Sequence, residues 1–197
     1  EVYNEQGEPA REASSERVRE LAAVFAQCQG VESGVAEPSV WTIIWEKAII
    51  MCSIGPLGAL CRAPLDVLGS TPATRALLKA AMLEVAACGR AAGHLSGEVE
   101  VKVEALLEAF TKSPPGTTPS TLRDVLTGRP SELHELTGAI QRAGLSLGVS
   151  TPTHDFIFAA LLPQERRARG EGPYTLMGVP GGAPHISPEA GCPASTL

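Results

Sequence analysis

Aromatic residues are scarce: Phe, Trp and Tyr make up 4% of the 197 residues. A core poor in rings must be built from Leu, Val, Ile and Ala, which suits helices better than a β-sandwich. Charge is also thin, at 19%, and what there is leans acidic, with a net charge of −6. Domains that bind nucleic acid usually carry a basic footprint, so no nucleic-acid partner is expected. The five cysteines (Cys28, Cys52, Cys61, Cys88 and Cys192) are widely spaced, odd in number and form no CxxC. Three of them lie in apolar helical patterns, where a free thiol packs as a small hydrophobe, so a disulfide framework is not expected. The sequence has no signal-peptide pattern. Its most apolar run, 40–60, carries Glu46 and Lys47 and is interrupted by Gly55-Pro56. That reads as a buried helix of a soluble protein rather than a membrane span. There is no GxGxxG after a strand, no P-loop, no HExxH and no GxSxG. The four histidines show no ligand spacing, so neither a nucleotide-binding half nor a metal site is expected within this sequence.

What is present is enough for a core, since hydrophobic residues reach 44%. Ser15 can cap a helix over 15–29, with Val18, Leu21, Ala22 and Phe25 at helical spacing. A short strand is expected over 31–35, and Pro38 suits a helix start. Over 39–54, Trp41, Ile44, Trp45, Ala48, Ile49 and Cys52 form one apolar stripe, and Ile43, Ile50, Met51 and Ile54 a second. A helix apolar all round is normally buried all round. Further helices are expected over 72–92, 96–112, 119–127, 131–147 (capped by Ser131) and from Thr151-Pro152 to about Leu162. The last 35 residues, 163–197, hold six Pro and six Gly and few large apolar groups, the composition of a disordered tail. The fold class is all-α, about six helices with short loops.

Three residues stand out chemically. On a helix, Lys47 has Ile43, Ile50 and Met51 as its i−4, i+3 and i+4 neighbours. An ammonium there is desolvated unless it reaches a cleft, water or a carboxylate, and a desolvated ammonium gives up its proton more readily. That would make it a general acid; the alternative is a lysine that snorkels or pairs. Ser120 stands at the start of one short helix and Glu132 in the first turn of the next. Either could bind a ligand, or serve only local backbone donors and a helix N-terminus.

These residues fall in a familiar pattern. Trp45-Glu46-Lys47 followed by Ile54-Gly55-Pro56-Leu57-Gly58-Ala59-Leu60 resembles the W-x-K…N-P-L-T-A-L signature of ketopantoate reductases. Thr118-Pro119-Ser120-Thr121-Leu122-Arg123-Asp124 resembles T-S-S-M-L-Q-D of the same family. The run from Gly128 to Gly138 is similar to G-R-x-T-E-I-D-x-L-N-G, and Gly148-Val149-Ser150-Thr151-Pro152-Thr153-His154 to G-V-x-T-P-x-N. Four motifs in one order, with similar spacing, are far more specific than any one of them. The resemblance covers about 14–163.

The resemblance implies the all-helical C-terminal domain of a two-domain reductase of the 6-phosphogluconate-dehydrogenase type. Residues 1–37 would lead in from a nucleotide-binding domain, 38–165 would form the substrate-side domain, and 166–197 the tail. The implied reaction is NADPH-dependent reduction of 2-dehydropantoate to pantoate, in pantothenate synthesis. Lys47 matches the family's catalytic lysine, and Ser120 and Glu132 match its substrate-binding serine and glutamate. NADPH would be held mainly by the other domain. The implied partner is a small 2-oxo acid, with a homo-oligomer as a further expectation and no membrane; the implied location is the cytoplasm. Met51 and Gly55 stand where the family carries Asn. A second expectation is therefore a reductase of another 2-oxo acid, or a non-catalytic helical module.

Overall fold

In the computed structural model, residues 13–35 and 39–172 are described. They form eight helices and no strand: α1 (Ala13–Phe25), α2 (Val40–Cys61), α3 (Leu65–Ser70), α4 (Pro72–Ala91), α5 (Val99–Thr111), α6 (Ser120–Leu126), α7 (Thr137–Leu147) and α8 (Pro152–Ala168). The all-α class is as expected. The expected strand at 31–35 does not form, and no second strand is found among the described residues for it to pair with. The Ser33 hydroxyl instead donates to the Ala22 carbonyl at 2.6 Å, folding this segment back beside α1. Pro38, and the tail from residue 173 onward, lie outside the described residues.

The 22-residue α2 is the axis of the bundle and is about 33 Å long at 1.5 Å per residue. Ser39 caps it by accepting the Trp41 N–H at 3.2 Å. Its far end is closed by Arg62, in left-handed backbone at φ 51°, whose N–H returns to Gly58 and Ala59 carbonyls. The expected interruption at Gly55-Pro56 is absent. Proline removes one helical hydrogen bond, but every residue from Cys52 to Ala59 is buried, and packing on all sides keeps the helix straight through. Helices α4, α6 and α8 pack against α2, and α4 against α5, α7 and α8. Between them Leu57, Leu68, Leu78, Met82, Val85, Val103, Leu107, Leu122, Leu133 and Ile157 are excluded from water. Each such side chain contributes about 1.5–3 kcal/mol relative to exposure. Helix α3, unmarked by any strong sequence signal, crosses α5 so closely that a Cβ on Gly69 would lie 2.7 Å from the Thr111 backbone nitrogen.

Three other elements differ from the sequence pattern. Helix α1 spans Ala13–Phe25, so Ser15 lies inside it rather than at its cap, and it ends short of residue 29. Helix α7 begins at Thr137, not at Ser131, because the Ser131 hydroxyl donates to Glu165 instead of capping a turn. Helix α8 runs through Pro163 to Ala168, past the expected end at Leu162. The apolar face formed by Ile157 and Leu161 continues to Glu165, which is buried and hydrogen-bonded. Those contacts carry the helix across the proline.

Candidate functional site

The two halves of α2 have different surroundings. From Cys52 onward the helix is enclosed, but at its N-terminal half Trp41, Ile43, Ile44 and Met51 are exposed at 38%, 47%, 46% and 36%. Lys47 lies on this open side and is exposed. The expectation of a helix buried all round, with a desolvated lysine, is corrected here: α4, α6 and α8 cover the later turns and leave this face free. Lys79 and Lys102 are ion-paired to Glu104 and Glu46, whereas Lys47 has no hydrogen-bond or ion-pair partner among the described residues. The helix beneath it is anchored. Trp41 stacks on His94 at 5.6 Å between ring centres, and the Thr42 hydroxyl donates to the His94 carbonyl at 2.9 Å.

Lys47, Met51 and Gly55 follow one another at four-residue spacing along one side of α2, Gly55 lying in its enclosed half about 12 Å along the axis from Lys47. At Gly55, α2 meets the two other candidate segments. A Cβ there would come within 2.8 Å of the Thr121 hydroxyl and 3.8 Å of a Leu136 methyl. Thr121 follows Ser120 at the start of α6. The Leu136 N–H donates to the Glu132 carbonyl at 2.9 Å. The side chains of Ser120 and Glu132 are exposed and make no hydrogen bond among the described residues. The fold thus gathers the three segments along one edge of α2, while Lys47, Ser120 and Glu132 make no hydrogen bond or ion pair with one another. A groove of about 390 Å³ between α2 and α5, lined by Ile49, Ile50, Val103 and Leu106 and spanned by the Glu46–Lys102 pair, holds none of the three.

Two acidic residues, Glu84 partly buried and Glu165 buried, escaped the sequence reading. Glu84 on α4 accepts the Thr153 and His154 N–H groups at 2.7 and 3.0 Å and pairs with the His154 ring at 2.7 Å. Burial alone would raise its carboxyl, but the hydrogen bonds from His154 and Thr153 outweigh it and hold it below the ordinary 4.5. Glu165 on α8 is 3% exposed. It accepts the Ser131 N–H at 3.0 Å and hydroxyl at 2.7 Å, and Arg169 Nε at 2.7 Å. The signal for Glu165 was its place on the stripe of Ile157 and Leu161. The thiols are free among the described residues, and burial pushes Cys52 up to about 11. No group of His, Cys, Asp and Glu among the described residues could hold a metal.

The fold is that of an all-helical C-terminal domain. The family model described as "Ketopantoate reductase PanE/ApbA C terminal" matches residues 39–165. The chain belongs to the ketopantoate reductase family through that C-terminal domain. It is 30% identical to the 2-dehydropantoate 2-reductase of Aquifex aeolicus over 153 residues, covering 77% of this chain and 48% of that protein. To the 2-dehydropantoate 2-reductase of Mesorhizobium japonicum it is 31% identical over 153 residues, covering 78% and 45%. The crystal structure of 2-dehydropantoate 2-reductase from Methylococcus capsulatus superposes with a TM-score of 0.65 at 30% identity, covering 78% of this chain and 51% of that one. The chain therefore spans about half the length of the relatives it matches.

Proposed function

We propose that this chain is the substrate-side domain of an enzyme that reduces 2-dehydropantoate to pantoate with NADPH. The observation that carries the reading is Lys47: exposed, without an ion-pair partner among the described residues, and surrounded by open apolar surface. The exposed Ile43, Ile44 and Met51 side chains suit a flat, weakly polar nicotinamide ring. None of the described segments offers a glycine-rich phosphate loop, so the rest of the cofactor would be held by a nucleotide-binding domain. NADPH, when bound, supplies the hydride to the keto carbon.

This chain's own residues handle the charge and the proton. As the keto oxygen becomes an alkoxide, the Lys47 ammonium offsets its charge and gives it a proton. Ser120 donates or accepts a hydrogen bond to the substrate, and Glu132 accepts from its hydroxyl and orients the lysine. Once the second domain closes over the face, water leaves and the lysine–substrate interaction strengthens. The reading carries with it a cytoplasmic, homo-oligomeric protein. The test is NADPH oxidation by the intact two-domain protein with 2-dehydropantoate, followed by absorbance. Turnover at ordinary enzyme rates is expected, and a folded protein that binds NADPH yet fails to turn over 2-dehydropantoate would overturn the assignment.

A further inference from the structure

The C-terminal end of α8 grips a segment that belongs to no helix. Glu165 accepts the Ser131 N–H on both carboxylate oxygens, at 3.1 and 3.0 Å, and the Ser131 hydroxyl at 2.7 Å. Arg169 donates from Nε to Glu165 at 2.7 Å and from Nη2 to the Ser131 carbonyl at 3.0 Å. Every polar group of Ser131 is thereby taken by α8. One residue before Glu165, Gln164 donates to the Val125 carbonyl at 3.0 Å, near the end of the helix that Ser120 opens.

A buried carboxylate is a costly way to close a turn, and it is tolerated only when donors surround it. Here they do, and charge-assisted hydrogen bonds of this kind fix geometry more firmly than neutral ones. On the other side of residue 132, Leu133 is fully buried and the Glu132 carbonyl accepts the Leu136 N–H at 2.9 Å. Glu132 is therefore the free acid in a clamped stretch: its neighbours are buried, its main chain is held, and its carboxylate is exposed. A side chain on a fixed backbone loses less freedom on binding than one on a loose loop.

We propose that Glu165 is a positioning residue for substrate binding: with Arg169 it fixes Ser131, and so aims the Glu132 carboxylate at the substrate. This inference rests on the reading of Glu132 as a substrate-binding residue. The experiment is steady-state kinetics on the intact two-domain protein, varying 2-dehydropantoate and NADPH separately, with folding of each variant checked by thermal melting. Glu165→Ala is expected to raise KM for the oxo acid by roughly 10- to 100-fold, the scale of a small misplacement in a site. KM for NADPH should stay unchanged. Glu165→Gln, which keeps the length and one acceptor, should recover most of the loss. In a Glu132→Ala background, Glu165→Ala should cost nothing more, because the residue it aims is gone. If Glu165→Ala does not fold, Arg169→Ala is read the same way in both backgrounds. A folded Glu165→Ala or Arg169→Ala variant with wild-type KM, or losses that add in full to that of Glu132→Ala, would overturn the positioning role alone. A Glu132→Ala enzyme with unchanged kinetics would overturn the reading of Glu132, and the positioning role with it.

Discussion

Lys47 is read differently once its surroundings are known. Spacing alone put it among Ile43, Ile50 and Met51 and suggested a desolvated ammonium; two of those neighbours, Ile43 and Met51, are themselves exposed. In this domain the lysine is therefore hydrated, and any desolvation has to come from what covers the face. That separates its mechanistic role from its structural one. Lys47→Ala is expected to lower kcat of the intact protein by roughly 10²–10⁴, the scale of a positioned general acid. Its melting temperature should barely move, since exposed substitutions away from special features stay within about 0.5 kcal/mol. NADPH affinity, measured by fluorescence titration, should also hold. A variant with wild-type kcat would remove the lysine from the chemistry. Position and type of this residue were legible in the sequence; its exposure was not, because periodicity gives the face of a helix and not what covers that face.

At the scale of elements, two of the departures from the sequence pattern involve proline. Pro56 and Pro163 each lie inside a helix, in α2 and α8, where local propensity favours a break. In both places the residues around the proline are fixed by contacts distant in sequence, which no local reading contains. The same applies to the acids that hold the helices together. Glu84 reaches from α4 to the start of α8, joining residues 69 and 70 positions apart, and supplies the cap that α8 otherwise lacks. Its carboxyl is held below the ordinary 4.5, so the folded state binds a proton there less readily than the unfolded chain does. The stability this gives is present in full above the unfolded value and is lost as pH falls through the folded one. Glu84→Gln, which keeps the shape but not the charge, should destabilise the domain by about 1–3 kcal/mol at neutral pH. Urea unfolding at a series of pH values checks it: the gap between variant and wild type should close in acid. A gap that stays constant would mean that Glu84 acts by packing alone.

On the scale of the whole molecule, some of the exposed apolar groups share a helix face, while others, such as Leu126, Leu145 and Phe156, stand on separate helices. Leu21, Val24 and Phe25 on α1, at 54%, 60% and 55%, and Ile43 and Ile44 on α2, at 47% and 46%, leave two helix faces open. Patches of that kind mark interaction surfaces, and the relatives that this chain resembles are about twice the length it spans. The core is nevertheless continuous through α2, α4, α5 and α8 without any contribution from those faces. The isolated chain is therefore expected to fold cooperatively, to bind an apolar dye such as anilinonaphthalene sulfonate, and to show neither NADPH binding nor turnover. Replacing Ile43 and Ile44 together by Ser should abolish most of the dye signal on α2 and leave the melting temperature of the isolated chain nearly unchanged, because neither side chain is part of the core. In the intact protein the same pair of substitutions should instead weaken coupling between the halves, seen as two separate melting transitions where the wild type shows one. A single transition in both proteins, with unaltered kinetics, would mean that the second domain packs elsewhere and that the lysine-bearing face of α2 is not the closing surface.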